Sequence, residues 1–161
     1  MEYNEMTFKE VLEHAIEAHK SERLKNRIIA DLDLKIIDCD EEKREWADYY
    51  YEAQEKYYNP YDGIHGGVAC VIADTCMGQT IAAATQTLPS TTDMSISYHR
   101  PMNGRAYRIH VELKKTGKQL VSTGCEVFDY DTGKLCVSLM AKYIFVKKSL
   151  VGEEEAARLL K

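Results

Sequence analysis

The period of the hydrophobic pattern changes along the chain, and each change marks an element. Phe8, Val11, Leu12, Ala15 and Ile16 recur at helical spacing behind Thr7-x-x-Glu10, a capping-box pattern, which predicts an amphipathic helix ending within 20–28. Leu32 to Cys39 and Arg44 to Ala53 read as two strands joined by Asp40-Glu41-Glu42-Lys43, a polar connection that suits a hairpin. Asn59-Pro60-Tyr61-Asp62-Gly63 supplies turn chemistry to a loop over 55–64.

From His65 to Ala84 the polar face disappears. This segment is long enough for about five helical turns and carries one charge, Asp74, which predicts a helix buried on nearly every side. Beyond it the period becomes two. Met94, Ile96 and Tyr98 alternate with Ser95, Ser97 and His99, and Tyr107, Ile109, Val111 and Leu113 alternate with Arg108, His110, Glu112 and Lys114, as in half-buried strands. Gly117 and Asp131-Thr132-Gly133-Lys134 set off two further strands near 119–130 and 135–146, for a meander of four. Glu153-Glu154-Glu155 and the alanines and leucines after it read as a short helix or frayed tail over 150–161.

Asp74 is the residue that asks for a reason. Taking a carboxylate out of water costs several kcal/mol unless it is paired or neutralised, so it is either hydrogen-bonded structure or chemistry. Gly66 and Gly67 open the same helix, where unpaired N–H groups and the positive end of the macrodipole favour negative charge or a polarised carbonyl. Alone, the two glycines could serve only to turn the chain tightly. Joined to an acid on the same helix, they look like half of an acyl-transfer site, an oxyanion hole awaiting a base or nucleophile. Eight residues of helix separate Gly66 from Asp74 by about 12 Å, whereas a reacting carbonyl sits about 3 Å from both of its partners. A two-fold dimer with antiparallel copies of the helix solves this, each copy giving Gly66 to one site and Asp74 to the other.

Asn59, His65-Gly66-Gly67, Ala73-Asp74, then Thr92, Tyr98 and Pro101 together resemble the signature of the hotdog-fold acyl-CoA thioesterases, in the branch of the phenylacetate-pathway thioesterase and its 4-hydroxybenzoyl-CoA-type relatives. The resemblance covers about residues 32–146. It implies an α+β hotdog fold, an antiparallel β-sheet wrapped around a long central helix, here with an additional N-terminal helix over 7–27, in a single domain spanning 1–161. The activity it implies is hydrolysis of the thioester of an acyl- or aroyl-CoA. Gly66 N–H would be the oxyanion donor and Asp74 of the other chain the general base or nucleophile. Asn59 and His65 would orient the thioester, and Thr92 would help hold the attacking water. Coenzyme A arrives as part of the substrate, so no separate cofactor is expected, and the implied assembly is a homodimer or a dimer of dimers. The chain departs from the pattern at Asp62, where the family usually has glycine; its own Gly63 comes one residue later.

Composition narrows the rest. A chain of 161 residues with 45% hydrophobic content suits one globular domain, and a net charge of −5 without a basic run argues against nucleic acid as a partner. The N-terminus lacks a basic region followed by an apolar core. The longest uncharged stretch is broken by Asp74 and rich in Thr, Gln and Gly, so a soluble cytoplasmic protein without a membrane span is expected. Five cysteines without Cys-x-x-Cys suggest reduced thiols, with Cys70 or Cys76 as a minor nucleophile candidate beside Asp74. The five histidines lack metal-ligand spacing, so no metal is expected. Arg100, Arg105, Lys118, Lys147 and Lys148 are cations available to coenzyme A phosphates, and the tyrosines over 49–61 either wall an acyl pocket or pack the sheet. Two other functions fit the residue types. One is a non-catalytic acyl-CoA-binding module, which would not need Asp74; the other is a hotdog dehydratase or hydratase using His65 and Asp74 for proton transfer.

Overall fold

A computed structural model describes residues 5–146. Helix α1 (Phe8–His19) starts with the expected capping box: Thr7 Oγ1 accepts from Glu10 N, and the Glu10 carboxylate accepts from Thr7 N at 2.7 Å. Its stripe of Phe8, Val11, Leu12 and Ile16 is buried, and the helix packs on β1 (Lys35–Cys39) and on the long helix α3 (Gly66–Thr85). α1 stops at His19, short of the expected range. Leu32, expected to open the first strand, instead caps a one-turn helix, α2 (Ile28–Asp31). The tail expected over 150–161 lies outside the described residues.

The remaining strands are β2 (Trp46–Glu52), β3 (Pro89–Tyr98), β4 (Ala106–Thr116), β5 (Leu120–Asp129) and β6 (Leu135–Phe145), and a 3-10 turn (Glu55–Tyr57) sits in the loop before α3. All pairings are antiparallel, in the order β1-β2-β4-β5-β6-β3. The expected four-strand meander is corrected here: only β4, β5 and β6 form one. β2 pairs with β4 along Trp46–Glu52, which takes the edge that β3 would need, so β3 crosses to the far side of β6 and becomes an edge strand.

The sheet packs its inner face on α3. Tyr49, Ile109, Val111, Val121, Val127, Val137 and Leu139 from the strands meet Ala69, Ile72, Ala73, Cys76, Met77 and Ile81 from the helix, all buried. Truncating Ile72 or Met77 to Ala would cost about 2–5 kcal/mol, the usual range for such cavities. Tyr49 adds a polar pin: its hydroxyl donates to the Cys76 carbonyl at 3.2 Å and lies 2.8 Å from Thr80 Oγ1. Burial on every side is not what the chain alone achieves, however. Gly67 is exposed, and Val71, Asp74, Thr75, Gly78 and Ala82 are half-buried, which leaves an open stripe at helical spacing. α3 is long and apolar enough to cross a membrane by composition, but half of its most apolar window is buried inside the protein, as in a core helix.

Candidate functional site

The site is built around the start of α3. His65 is its N-cap, and the ring Nδ1 accepts from Gly67 N–H at 3.0 Å. A nitrogen that accepts carries no proton, so the ring N–H is on Nε2. Gly66 O accepts from the Tyr98 hydroxyl at 2.7 Å. The Gly66–Gly67 peptide is thus held at both ends, while Val68 N–H and Ala69 N–H both donate to the His65 carbonyl. Gly66 N–H is the donor at the helix start that has no acceptor among the described residues. That is the N–H the sequence singled out.

Asn59 approaches from the preceding loop. Its Oδ1 accepts from Tyr61 N at 2.8 Å and, more weakly, from Gly63 N at 3.4 Å, and its own N–H donates to the Gly63 carbonyl at 2.7 Å. With Oδ1 occupied by the loop, Nδ2 is the polar end left to meet a ligand. The departure at Asp62 has a conformational answer: Asp62 itself takes the left-handed φ of 60° that glycine usually supplies, and aspartate is among the few residues that tolerate it. Gly63 serves close approach instead. A Cβ there would stand 2.4 Å from Asn103 Oδ1 and 3.2 Å from the Met102 carbonyl, which accepts from Ile64 N–H.

Asn59, Gly66, Tyr98, Arg100, Pro101 and Asn103 line one open cleft of about 520 Å³. Asp74 and Thr92 do not. Asp74 is two helical turns further on, half-exposed beside the outer edge of the sheet, so within one chain the structure brings together Asn59, His65 and Gly66 but not the acid.

What holds Asp74 was not visible in the sequence. The hydroxyls of Tyr143 and Thr91 each donate to its Oδ1 at 2.8 Å. Thr92, expected to help hold the attacking water, donates its hydroxyl to the Lys142 carbonyl at 3.1 Å, and the threonine whose hydroxyl meets Asp74 is Thr91. Strict alternation back from Tyr98, Ile96 and Met94 would turn residue 92 inward. A β-bulge between Thr91 and Asp93 resets the phase, so Thr91 opposes Tyr143 and both point at the helix. Burial, and then the charge of Asp74, raise the Tyr143 hydroxyl far above its ordinary range, so it remains a donor.

The cysteines are not activated. Cys76 is fully buried and its thiol is raised well above the ordinary value by that burial; Cys70 is raised by burial and by Asp74, and its Sγ lies 3.3 Å from Met94 Sδ. Of the cations named above, Arg100 lines the cleft and donates to the Leu135 carbonyl, Arg105 pairs with Glu52, and Lys147 and Lys148 lie outside the described residues. Tyr49, Tyr51 and Tyr107 pack the core, while Tyr61 is exposed at the cleft.

Residues 62–136 match the family model of the thioesterase superfamily. Curated protein sequences yield no match. Among solved structures, thioesterase superfamily member 2 from Mus musculus aligns with a TM-score of 0.70 at 18% identity, over 83% of this chain and 96% of its own. The E. coli PaaI protein from the phenylacetic acid degradation operon aligns with a TM-score of 0.67 at 18% identity, over 84% and 96%. A Streptococcus mutans UA159 protein bound to acetyl CoA aligns with a TM-score of 0.64 at 14% identity, over 71% and 89%.

Proposed function

Because residues 62–136 carry the thioesterase-superfamily pattern on a hotdog fold, we propose that this protein is an acyl-CoA thioesterase that hydrolyses an acyl- or aroyl-CoA to the free acid and coenzyme A. The observation that carries the reading is the disposition of α3: a Gly66 N–H at its start that is unpaired among the described residues, and a half-exposed carboxylate at Asp74, about 12 Å further along.

The edge strand supports a site shared between two subunits. β3 runs ten residues with a single charge, Asp93, and pairs with β6 alone among the described strands. Such an edge invites pairing with another chain. Along it, Tyr98 touches Gly66, Met94 touches Cys70 and Thr91 touches Asp74, so α3 and β3 run antiparallel. A two-fold axis through the middle of β3 would set Thr91 of the partner subunit opposite Tyr98. Asp74 of the partner subunit would then lie across from Gly66, and a homodimer would hold two such sites. Two dimers could associate further without altering this arrangement.

In the reaction, the thioester carbonyl accepts from Gly66 N–H, with Asn59 Nδ2 and His65 Nε2–H available to orient the thioester. Along one route Asp74 takes a proton from water as the water oxygen bonds to the carbonyl carbon; along the other the carboxylate itself attacks, giving an anhydride that water then opens. In both, the C–S bond breaks as the oxyanion collapses, and the coenzyme A thiolate leaves and is protonated. The acetyl CoA held by the Streptococcus mutans relative supports a coenzyme A thioester as ligand. Incubation with a panel of acyl-CoAs, following free thiol, tests the proposal: release with one or more members is expected, whereas binding without release would favour a non-catalytic module.

A further inference from the structure

Building on this thioesterase reading, we propose that Tyr143 and Thr91 are positioning residues for Asp74, which clamp Oδ1 of the carboxylate and leave Oδ2 as the oxygen that meets water or the thioester carbon. Both hydroxyls lie 2.8 Å from the same oxygen. Two donors converging on one oxygen from two strands fix the rotation of the carboxylate about its last torsion, which a single contact would leave free. The clamp is a product of cross-strand register. Thr91 and Tyr143 are a directly opposed pair on β3 and β6, and the bulge after Thr91 is what turns its side chain to the helix.

The two members differ in kind. Tyr143 is only 2% exposed, and its hydroxyl has no nearer acceptor than Asp74 Oδ1, the Asp74 carbonyl being at 3.5 Å. Thr91 is exposed on the edge strand. One donor therefore comes from the core and the other from the edge proposed to meet the second subunit, so the carboxylate is oriented by both. Among the described residues, Tyr143 from β6 and Cys70 from the helix itself both feel the charge of Asp74, and both are raised in the direction that keeps them neutral.

The test uses the intact protein with Tyr143→Phe, which preserves the ring, and Thr91→Val, which preserves shape at an exposed position and decides the matter if the first variant fails to fold. Two readouts are taken. In protein carrying [4-13C]aspartate, the carboxyl signal absent from Asp74→Asn should move in chemical shift at neutral pH in each variant, because a donor that polarises it has been removed. With a hydrolysed acyl-CoA, kcat should fall about tenfold at unchanged KM, with Thr91→Ser restoring both the rate and the carboxyl signal. Variants whose Asp74 carboxyl signal stays where it is in the parent overturn the clamp, whatever the activity. Full turnover by Asp74→Asn, with the signal shifted as expected, instead sinks the thioesterase mechanism and leaves the clamp standing.

Discussion

Tyr98 and Gly66 hold each other in place: the phenol donates to the Gly66 carbonyl at 2.7 Å, and its ring carbon lies 3.1 Å from where a Cβ on residue 66 would stand. Glycine is needed there because the ring sits against the backbone that bears the unpaired N–H. Gly66→Ala should therefore displace Tyr98 or the helix start and lower kcat roughly tenfold to a hundredfold, the cost of misplacing a group by about an ångström. Gly67→Ala meets only the His65 ring, at 3.3 Å, and should lose less. Steady-state kinetics of the two alanine variants would check this, and equal losses would remove the special status of residue 66.

Asp74 lies outside the cleft of its own chain, so its proposed part is in the chemical step rather than in holding the ligand. Asp74→Asn should leave acyl-CoA binding nearly intact and reduce turnover by at least about 10²-fold. Calorimetric binding alongside single-turnover rates would separate the two effects. A variant retaining more than a tenth of the parent rate takes Asp74 out of the mechanism.

If each site draws Gly66 from one chain and Asp74 from the other, two differently crippled proteins should complement. Mixing Asp74→Asn with Gly66→Pro, which lacks the N–H, should after subunit exchange give heterodimers with one intact site. Activity should rise above that of either parent. Exchange confirmed by native mass spectrometry without recovered activity would count against a shared site.

The neighbouring threonines offer a sharper discrimination. Thr91 Oγ1 reaches Asp74, whereas Thr92 Oγ1 donates to the Lys142 carbonyl. Thr91→Val should slow turnover about tenfold and Thr92→Val less than threefold, in line with loss of a hydrogen bond to a charged rather than a neutral partner. The opposite ranking in parallel kinetic assays would return the role to Thr92.

His19 couples stability to pH. Burial lowers its pKa, and its Nδ1 lies 3.0 Å from Gln79 Nε2, an amide that can only donate, so the folded state holds the ring neutral. As pH falls below the ordinary value near 6.5, the unfolded chain binds a proton that the folded chain resists; the contribution is present above that pH and is lost as pH drops through the lowered value. The melting temperature should fall more between pH 7.5 and about 5.5 for the parent than for His19→Gln. Parallel slopes in thermal melts would show that His19 is not the group responsible.

Local pattern was enough for much of this protein. Periods of 3.6 and 2 placed α1, α3 and the later strands because side-chain direction along one element depends only on that element's own geometry. Gly66-Gly67 and Asp74 stood out for the same reason: what a helix start offers, and what an apolar segment excludes, are properties of contiguous residues. Asp62 could adopt the left-handed turn that glycine usually takes because its own backbone allows it. Tertiary structure alone decided the rest. Whether β3 pairs with β4 or β6 depended on β2 having taken the β4 edge, and which threonine faces Asp74 depended on one bulge shifting the phase of a strand that must also register with β6. No local pattern points to Tyr143: it comes from 69 positions beyond Asp74, and only the closing of the sheet over α3 sets its hydroxyl on that carboxylate. Contacts of that kind are fixed by packing between elements, to which the periodicity of any single element is blind.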